Sequence, residues 1–368
     1  MRALARLVPL LIARLPTGHI QAAAREDTTG SALRNWATNR VNAAKRAEAG
    51  HPADSEGHRA MLASWKQTTG THRDAATLFS STSSMDAEMR VEVRERAEGW
   101  RTMHLVGARR SIIHGVCKAD ANGRLDPAAV PTEYIKSMAA LGLAGLERRH
   151  RSEPARLLFL GLGAGTLPRL MGHYLPCAEL VAIECDATVC DAAVECFGMD
   201  DGTMTVVRAD ALRWVEEAAG SAADDNLLFD AVFVDIFDEH NLCPVAFYSD
   251  AFLTALAAIM GDHGVVVHNL HAGSRRLEAE RRYAEGAYAR TFGGGRCCQL
   301  ASLDSKPWAG NAILGAARPP RVEPADGMAA AAFFESAALL KSADAARRRL
   351  NVDFDLVARC RNVWRNLS

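Results

Sequence analysis

Apolar residues in the central part of the chain fall into short unbroken runs, separated by stretches of helical spacing. Leu157–Leu160, Glu179–Glu184, Met204–Val207, Phe229–Val234 and Gly264–Asn269 each read as a buried strand. Pro168–Tyr174, Asp186–Phe197, Ala211–Ala219 and Phe247–Met260 read as the helices between them. Alternation of this kind predicts an α/β fold, with a mainly parallel sheet, right-handed crossovers and helices on both faces. Arg296–Leu303 and Asn311–Ala316 look like a closing antiparallel hairpin, after which Pro319-Pro320 breaks into a helical tail, Ala325–Leu367.

Upstream, Arg101–Val106 and Ser111–Val116 read as two short strands joined through Gly107, and Asn122-Gly123 marks a turn. Pro131-Thr132-Glu133 opens a helix carrying Tyr134, Ile135, Met138, Leu141 and Leu143. Apolar periodicity is poor from Glu26 to about Ser84, which predicts a mobile extension with a short helix near Ala60–Trp65. The pattern therefore divides the chain into a leader (1–25), a flexible or helical extension (26–95), a small β-hairpin with its following helix (96–150), the α/β domain (151–318) and a helical tail (319–368).

Composition narrows the classes. The chain has 368 residues, 49% of them hydrophobic, so a sizeable core is expected. A net charge of -1 gives no global pull toward nucleic acid or an anionic membrane. No apolar run is long enough to span a bilayer, so no membrane association is expected. The nine cysteines include no C-x-x-C pair, and the aspartates and histidines lack ligand spacing, so no metal is expected. The first 25 residues carry Arg2, Arg6, Arg14 and Arg25, with leucines between them and no acid. That reads as a mitochondrial or plastid transit segment, or alternatively as a surface helix or tail of a cytoplasmic protein. The basic clusters at Arg148–Arg151, Arg275-Arg276, Arg281-Arg282 and Arg347–Arg349 read as solvated faces, with docking sites as the alternative.

The chemistry gathers at the carboxyl ends of the strands. The first strand runs into Gly161, Gly163 and Gly165. A dinucleotide fingerprint would place its third glycine at Thr166, so the spacing is G-x-G-x-G, which suits an adenosyl ligand without a pyrophosphate, such as S-adenosylmethionine. A plain strand–turn–helix is the alternative. Glu184 ends the second strand about twenty residues on, where a carboxylate can accept both ribose hydroxyls. Asp210, with Ala211, follows the third strand and suits either the adenine amino group or a helix cap. Asp235 and Asp238 follow the fourth strand and point to the ligand crevice. His268 and His271 follow the fifth; one is a candidate base, with a structural role as the alternative.

These motifs resemble the spermidine-synthase-like branch of the class I S-adenosylmethionine-dependent transferases, over roughly Trp100 to Ala317. The segment VDIFDEHNLCPVAFYSDAFL looks like that branch's fourth-strand motif, and the branch also has an apolar residue at the position of Phe159. The resemblance implies a Rossmann-like fold with a seven-stranded, mainly parallel sheet, a terminal antiparallel hairpin and a small N-terminal β segment. It also implies Glu184 as the ribose acid, Asp210 as the adenine-side acid, and Asp235 as the group that takes part in deprotonating an attacking amine. Asp238 is the second acid of that motif, and homodimers recur among such proteins.

The departures point away from polyamines. Polyamine synthases carry an acid in the glycine loop, where this chain has Ala164. Their acid-rich helix before the first strand is here PTEYIKSM, keeping Tyr134 and Met138 but placing Lys136 and Ser137 near the lost carboxylate. A polycationic substrate needs several carboxylates to offset its desolvation. The same departures look similar to methyltransferase-like proteins whose spermidine-synthase-like half methylates a translation elongation factor. Three functions follow: a methyltransferase using S-adenosylmethionine on a protein or other amine, an aminopropyltransferase using decarboxylated S-adenosylmethionine, or a non-catalytic adenosyl-binding scaffold. In either enzyme Asp235 is a base or a contact to the donor's amino group.

Overall fold

A computed structural model describes residues 75–108, 111–147, 154–199, 202, 204–221, 228–238, 242–271, 278–293, 297–301, 311–319, 336–361 and 363–367. The arginine-bearing leader, the Ala60–Trp65 helix and the Arg148–Arg151 and Arg275-Arg276 clusters lie outside the described residues.

Two sheets make the framework. The first has five antiparallel strands in chain order: β1 (Ala76–Thr82), β2 (Arg90–Glu95), β3 (Trp100–Val106), β4 (Ser111–Ala119) and β5 (Leu125–Asp126). It replaces the expected two-stranded hairpin and takes in residues expected to be flexible or helical. β1 escapes a periodicity argument because it is an edge strand exposed along most of its length.

The helix α1 (Glu133–Leu146) leads into the second sheet. There β6 (Arg156–Leu160), α2 (Thr166–Tyr174), β7 (Glu179–Glu184), α3 (Ala187–Phe197), β8 (Thr205–Arg208), α4 (Ala211–Gly220), β9 (Phe229–Val234), α5 (Asp250–Ala258) and β10 (Met260–His271) alternate as expected. α6 (Glu278–Phe292), β11 (Cys297–Ala301), β12 (Asn311–Ala317), α7 (Ser336–Leu350), α8 (Leu356–Arg361) and β13 (Val363–Leu367) follow. Strand order is β13-β11-β12-β10-β9-β6-β7-β8. β8, β7, β6, β9 and β10 pair in parallel, and β12, β11 and β13 close the sheet antiparallel.

The expected seven strands are present, and the chain adds an eighth. The tail expected to be wholly helical ends in β13. The expected long helix over Phe247–Met260 is instead a 3-10 turn at Val245–Tyr248 followed by α5, because Ser249 accepts a hydrogen bond from Phe252 N at 3.2 Å and starts a new helix there. Met260 already belongs to β10.

The strands are apolar on both faces because both are covered. Leu157 and Phe159 face one core with α1, α2, α3, α7 and α8, whereas Leu158 and Leu160 face the other with α4, α5 and α6. Phe159 pairs with Phe233 across the β6–β9 ladder, their rings stacked at 5.0 Å. α1 reaches the sheet closely: a Cβ at Gly142 would lie 2.5 Å from the Phe233 ring.

The small sheet docks on the large one through polar clamps. Thr166 Oγ1 donates to Val116 O at 2.9 Å. Asp186 caps α3 by accepting from Thr188 N at 2.9 Å, and it also accepts from the Ser83 hydroxyl at 2.5 Å, Ser84 N at 3.1 Å and the Ser84 hydroxyl at 2.8 Å. Burial alone would raise the Asp186 pKa; the serine hydrogen bonds outweigh it and hold the group below its ordinary value. Asp186→Ala should therefore cost about 2 kcal/mol through the lost cap and the stranded serine donors, measured by denaturant unfolding.

Candidate active site

The first strand of the parallel set, β6, lies between β9 and β7, so the chain order reverses beside it and a crevice opens at the carboxyl ends. The glycine turn lines that crevice. Gly161, Gly163 and Gly165 have φ of 92°, 52° and 67°, all in the left-handed region. A Cβ on Gly161 would lie 2.4 Å from the Asp235 carbonyl oxygen, and one on Gly163 would lie 2.5 Å from the His114 carbonyl oxygen. Glycine is thus required both by conformation and by the backbones packed against the turn.

Glu184 closes the turn from the side. It accepts from Leu162 N at 3.0 Å with Oε2 and from Asp186 N at 3.0 Å with Oε1. Burial raises its pKa against the pull of those two amides. Asp210 is exposed and caps α4, accepting from Arg213 N at 3.0 Å, while Ala211 is buried behind it. Ala209 N donates to Glu184 O at 3.0 Å, so the ends of β7 and β8 sit together.

Asp235 stands at the end of β9, its amide donating to Leu160 O at 3.0 Å. Burial pushes its pKa up to about 6, against hydrogen bonds from Asn269 and Tyr134. Asn269 Nδ2 donates to Asp235 Oδ1 at 2.8 Å. Asp238, three residues on, turns to its own loop: Oδ1 accepts from Leu242 N at 2.9 Å, and its amide donates to Leu242 O at 2.9 Å. The structure therefore brings Gly161, Gly163, Gly165, Glu184 and Asp235 together, with Asp210 at the β8 side and Asp238 bonded to Leu242.

His268 lies inside β10 rather than beyond it, fully buried between the Cys243 thiol at 3.2 Å and the Tyr288 hydroxyl at 2.9 Å. Burial pushes its pKa down to about 3, so it is a neutral core histidine, not a base near pH 7. His271 ends the same strand. Among the described residues, no group of three or more His, Cys, Asp or Glu side chains could hold a metal ion.

Sequence reasoning passed over Asn269, Asn311 and His114. Asn269 occupies the carboxyl end of a parallel strand, so the rule that singled out Asp235 applies to it equally. His114 is the extra residue of a bulge, since Met103 pairs with Gly115 but His104 with Ile113. Its Nε2 is buried without a hydrogen-bond partner among the described residues, and burial pushes its pKa down to about 4.

A glycine cradle against backbone, an adjacent half-buried carboxylate and a bulged imidazole with an unpartnered nitrogen fit an adenosyl ligand. Comparison with known proteins agrees on the fold. A probable spermidine synthase from Corynebacterium glutamicum superposes with a TM-score of 0.54 at 16% identity, over 75% of this chain and 94% of that one. The two share a Rossmann-like fold. In sequence, the chain is 31% identical over 159 residues to the mouse (Mus musculus) eEF1A lysine and N-terminal methyltransferase, covering 42% of this chain and 23% of that protein. It is 28% identical over 156 residues to a polyamine aminopropyltransferase of Chromobacterium violaceum, covering 42% of this chain and 54% of that one. The chain spans less than a quarter of the length of the eEF1A methyltransferases that it matches. No protein-family model matches it.

Two outcomes follow from this geometry. Gly161→Ala should abolish binding of adenosylhomocysteine by calorimetry while leaving the far-ultraviolet spectrum folded, because the Cβ has no space against Asp235. The buried neutral histidines set a pH dependence. The unfolded chain binds a proton near pH 6.5 that His268 in the folded chain refuses until about 3, so stability is complete above 6.5 and falls as pH drops through that window. Melting temperature should fall between pH 7 and 5, less steeply in His268→Gln.

Proposed function

We propose that the chain is an S-adenosylmethionine-dependent methyltransferase acting on an amine, with a protein as the acceptor. The observation that carries this reading is the half-buried carboxylate of Asp235 at the end of β9, while Glu133, next in sequence to the Tyr134 that reaches it, is engaged in ion pairs. Glu133 pairs with Lys136 Nζ at 2.9 Å and with Arg359. One carboxylate suits one amine; a polycation would leave further ammonium groups desolvated without partners. The methyltransferase relatives support a protein acceptor.

In this reading Gly161, Gly163 and Gly165 admit the adenosyl group, Glu184 holds its ribose, and Asp210 with Ala211 borders its base. The bound group supplies an electrophilic methyl on a sulfonium. Asp235 orients the acceptor amine and takes its proton, so the nitrogen lone pair is free for in-line attack. Asp238 is bonded to Leu242 close behind Asp235 in the chain. Pairing of two copies is part of the proposal. A second reading, aminopropyl transfer from the decarboxylated donor, is favoured by the Chromobacterium violaceum relative.

The deciding experiment is to incubate purified protein and cell extract with donor labelled in the methyl group and, separately, with decarboxylated donor labelled in the aminopropyl group. Label entering a protein from the first supports the proposal, and label entering only small amines from the second overturns it. Glu184→Ala should weaken adenosylhomocysteine binding about tenfold or more. Asp235 must be ionised to accept a proton, so the rate should rise through about pH 6 and level off above it. Asp235→Asn should slow transfer by about 100-fold or more and remove that limb.

A further inference from the structure

Asp235 is the end of a chain of side-chain hydrogen bonds that runs across the sheet. Asn311 Nδ2 donates to Asn269 Oδ1 at 3.0 Å, and Asn269 Nδ2 donates to Asp235 Oδ1 at 2.8 Å. Asn269 is fully buried and Asn311 nearly so. In the antiparallel β10–β12 ladder Asn269 stands opposite Ile313, which places Asn311 two residues along, on the same face and diagonal to it. From the other side, Tyr134 of α1 reaches the same carboxylate. Tyr134 is thus a titratable side chain in contact with Asp235.

The chain has one allowed direction. An ionised carboxylate only accepts, so Asn269 must turn its NH2 toward Asp235 and its carbonyl oxygen away. That oxygen is buried and needs a donor, which Asn311 supplies. If Asp235 takes up a proton on Oδ1, it needs an acceptor there, and Asn269 can offer one only by flipping its amide. The flip would set the Asn269 NH2 against the NH2 of Asn311, so two buried amides would have to reverse together. Asn311 thus opposes the flip from a distance, without touching the carboxylate.

We propose that Asn311 is a positioning residue that locks the Asn269 amide and so keeps the Asp235 carboxylate aimed into the crevice and ready to accept a proton. This rests on Asp235 serving as the base of the methyl transfer proposed above. The lock itself is a property of the folded chain and is measurable without turnover.

The test is a titration of full-length protein carrying carbon-13 in the aspartate carboxyls, with Asp235→Asn assigning the resonance, for wild type, Asn311→Ala and Asn311→Leu. Leucine fills the asparagine volume without a donor, which covers the case in which alanine compromises folding; melting temperature reports that directly. With the lock removed, the Asp235 midpoint should move upward by about one pH unit, the size expected for losing a charge-assisted donor's fixed orientation. The acid limb of the methyl-transfer rate should move by the same amount, with kcat recovering at high pH and the donor KM unchanged. An Asp235 midpoint that stays put in a folded variant overturns the proposal. A shifted midpoint with no methyl transfer by wild type would keep the lock and remove the methyltransferase reading instead.

Discussion

The structure depends on the close approach of three backbones at the end of β6. Gly161 lies under the Asp235 carbonyl, Gly163 under the His114 carbonyl, and neither position has space for a Cβ. That contact joins the first parallel strand, the strand bearing the acidic group and the separate antiparallel sheet. Residues of all three meet there only because Gly161 and Gly163 carry no side chains. The polar clamps from Thr166 to Val116 and from Asp186 to Ser83 and Ser84 hold the small sheet at that separation.

Around this contact the electrostatics separate roles among groups of like chemistry. Glu184 and Asp235 are both half-buried carboxylates, yet Glu184 is tied to two main-chain amides, whereas Asp235 is met by side chains. The first is built into the backbone of the turn, and the second depends on residues from α1 and β10 that the core must hold in place. His268 and His114 are both neutral through burial, but His268 is bonded at both nitrogens and His114 at Nε2 is not.

Much of this was legible in the sequence where local pattern and packing agree. The five parallel strands, the glycine turn and Glu184 could be read because a strand buried on both faces is continuously apolar and the turn conformation demands glycine. β1 could not, since an exposed edge strand carries little apolar signal. β13 was hidden in a polar tail whose strand character comes from pairing with β11. Asn269 and Asn311 were missed for a different reason: their importance lies in a diagonal contact across an antiparallel ladder, and residues forty-two apart in the chain give no sign of it.

α1 is made early in the chain, but its partners come late. It packs in one core with α7 and α8, and Arg359 reaches back to Glu133 over 226 residues. The helix that presents Tyr134 therefore cannot settle from local contacts alone. Closing so long a loop is slow compared with forming a helix or hairpin. The position of Tyr134 beside Asp235 is thus fixed only once the tail has seated against α1.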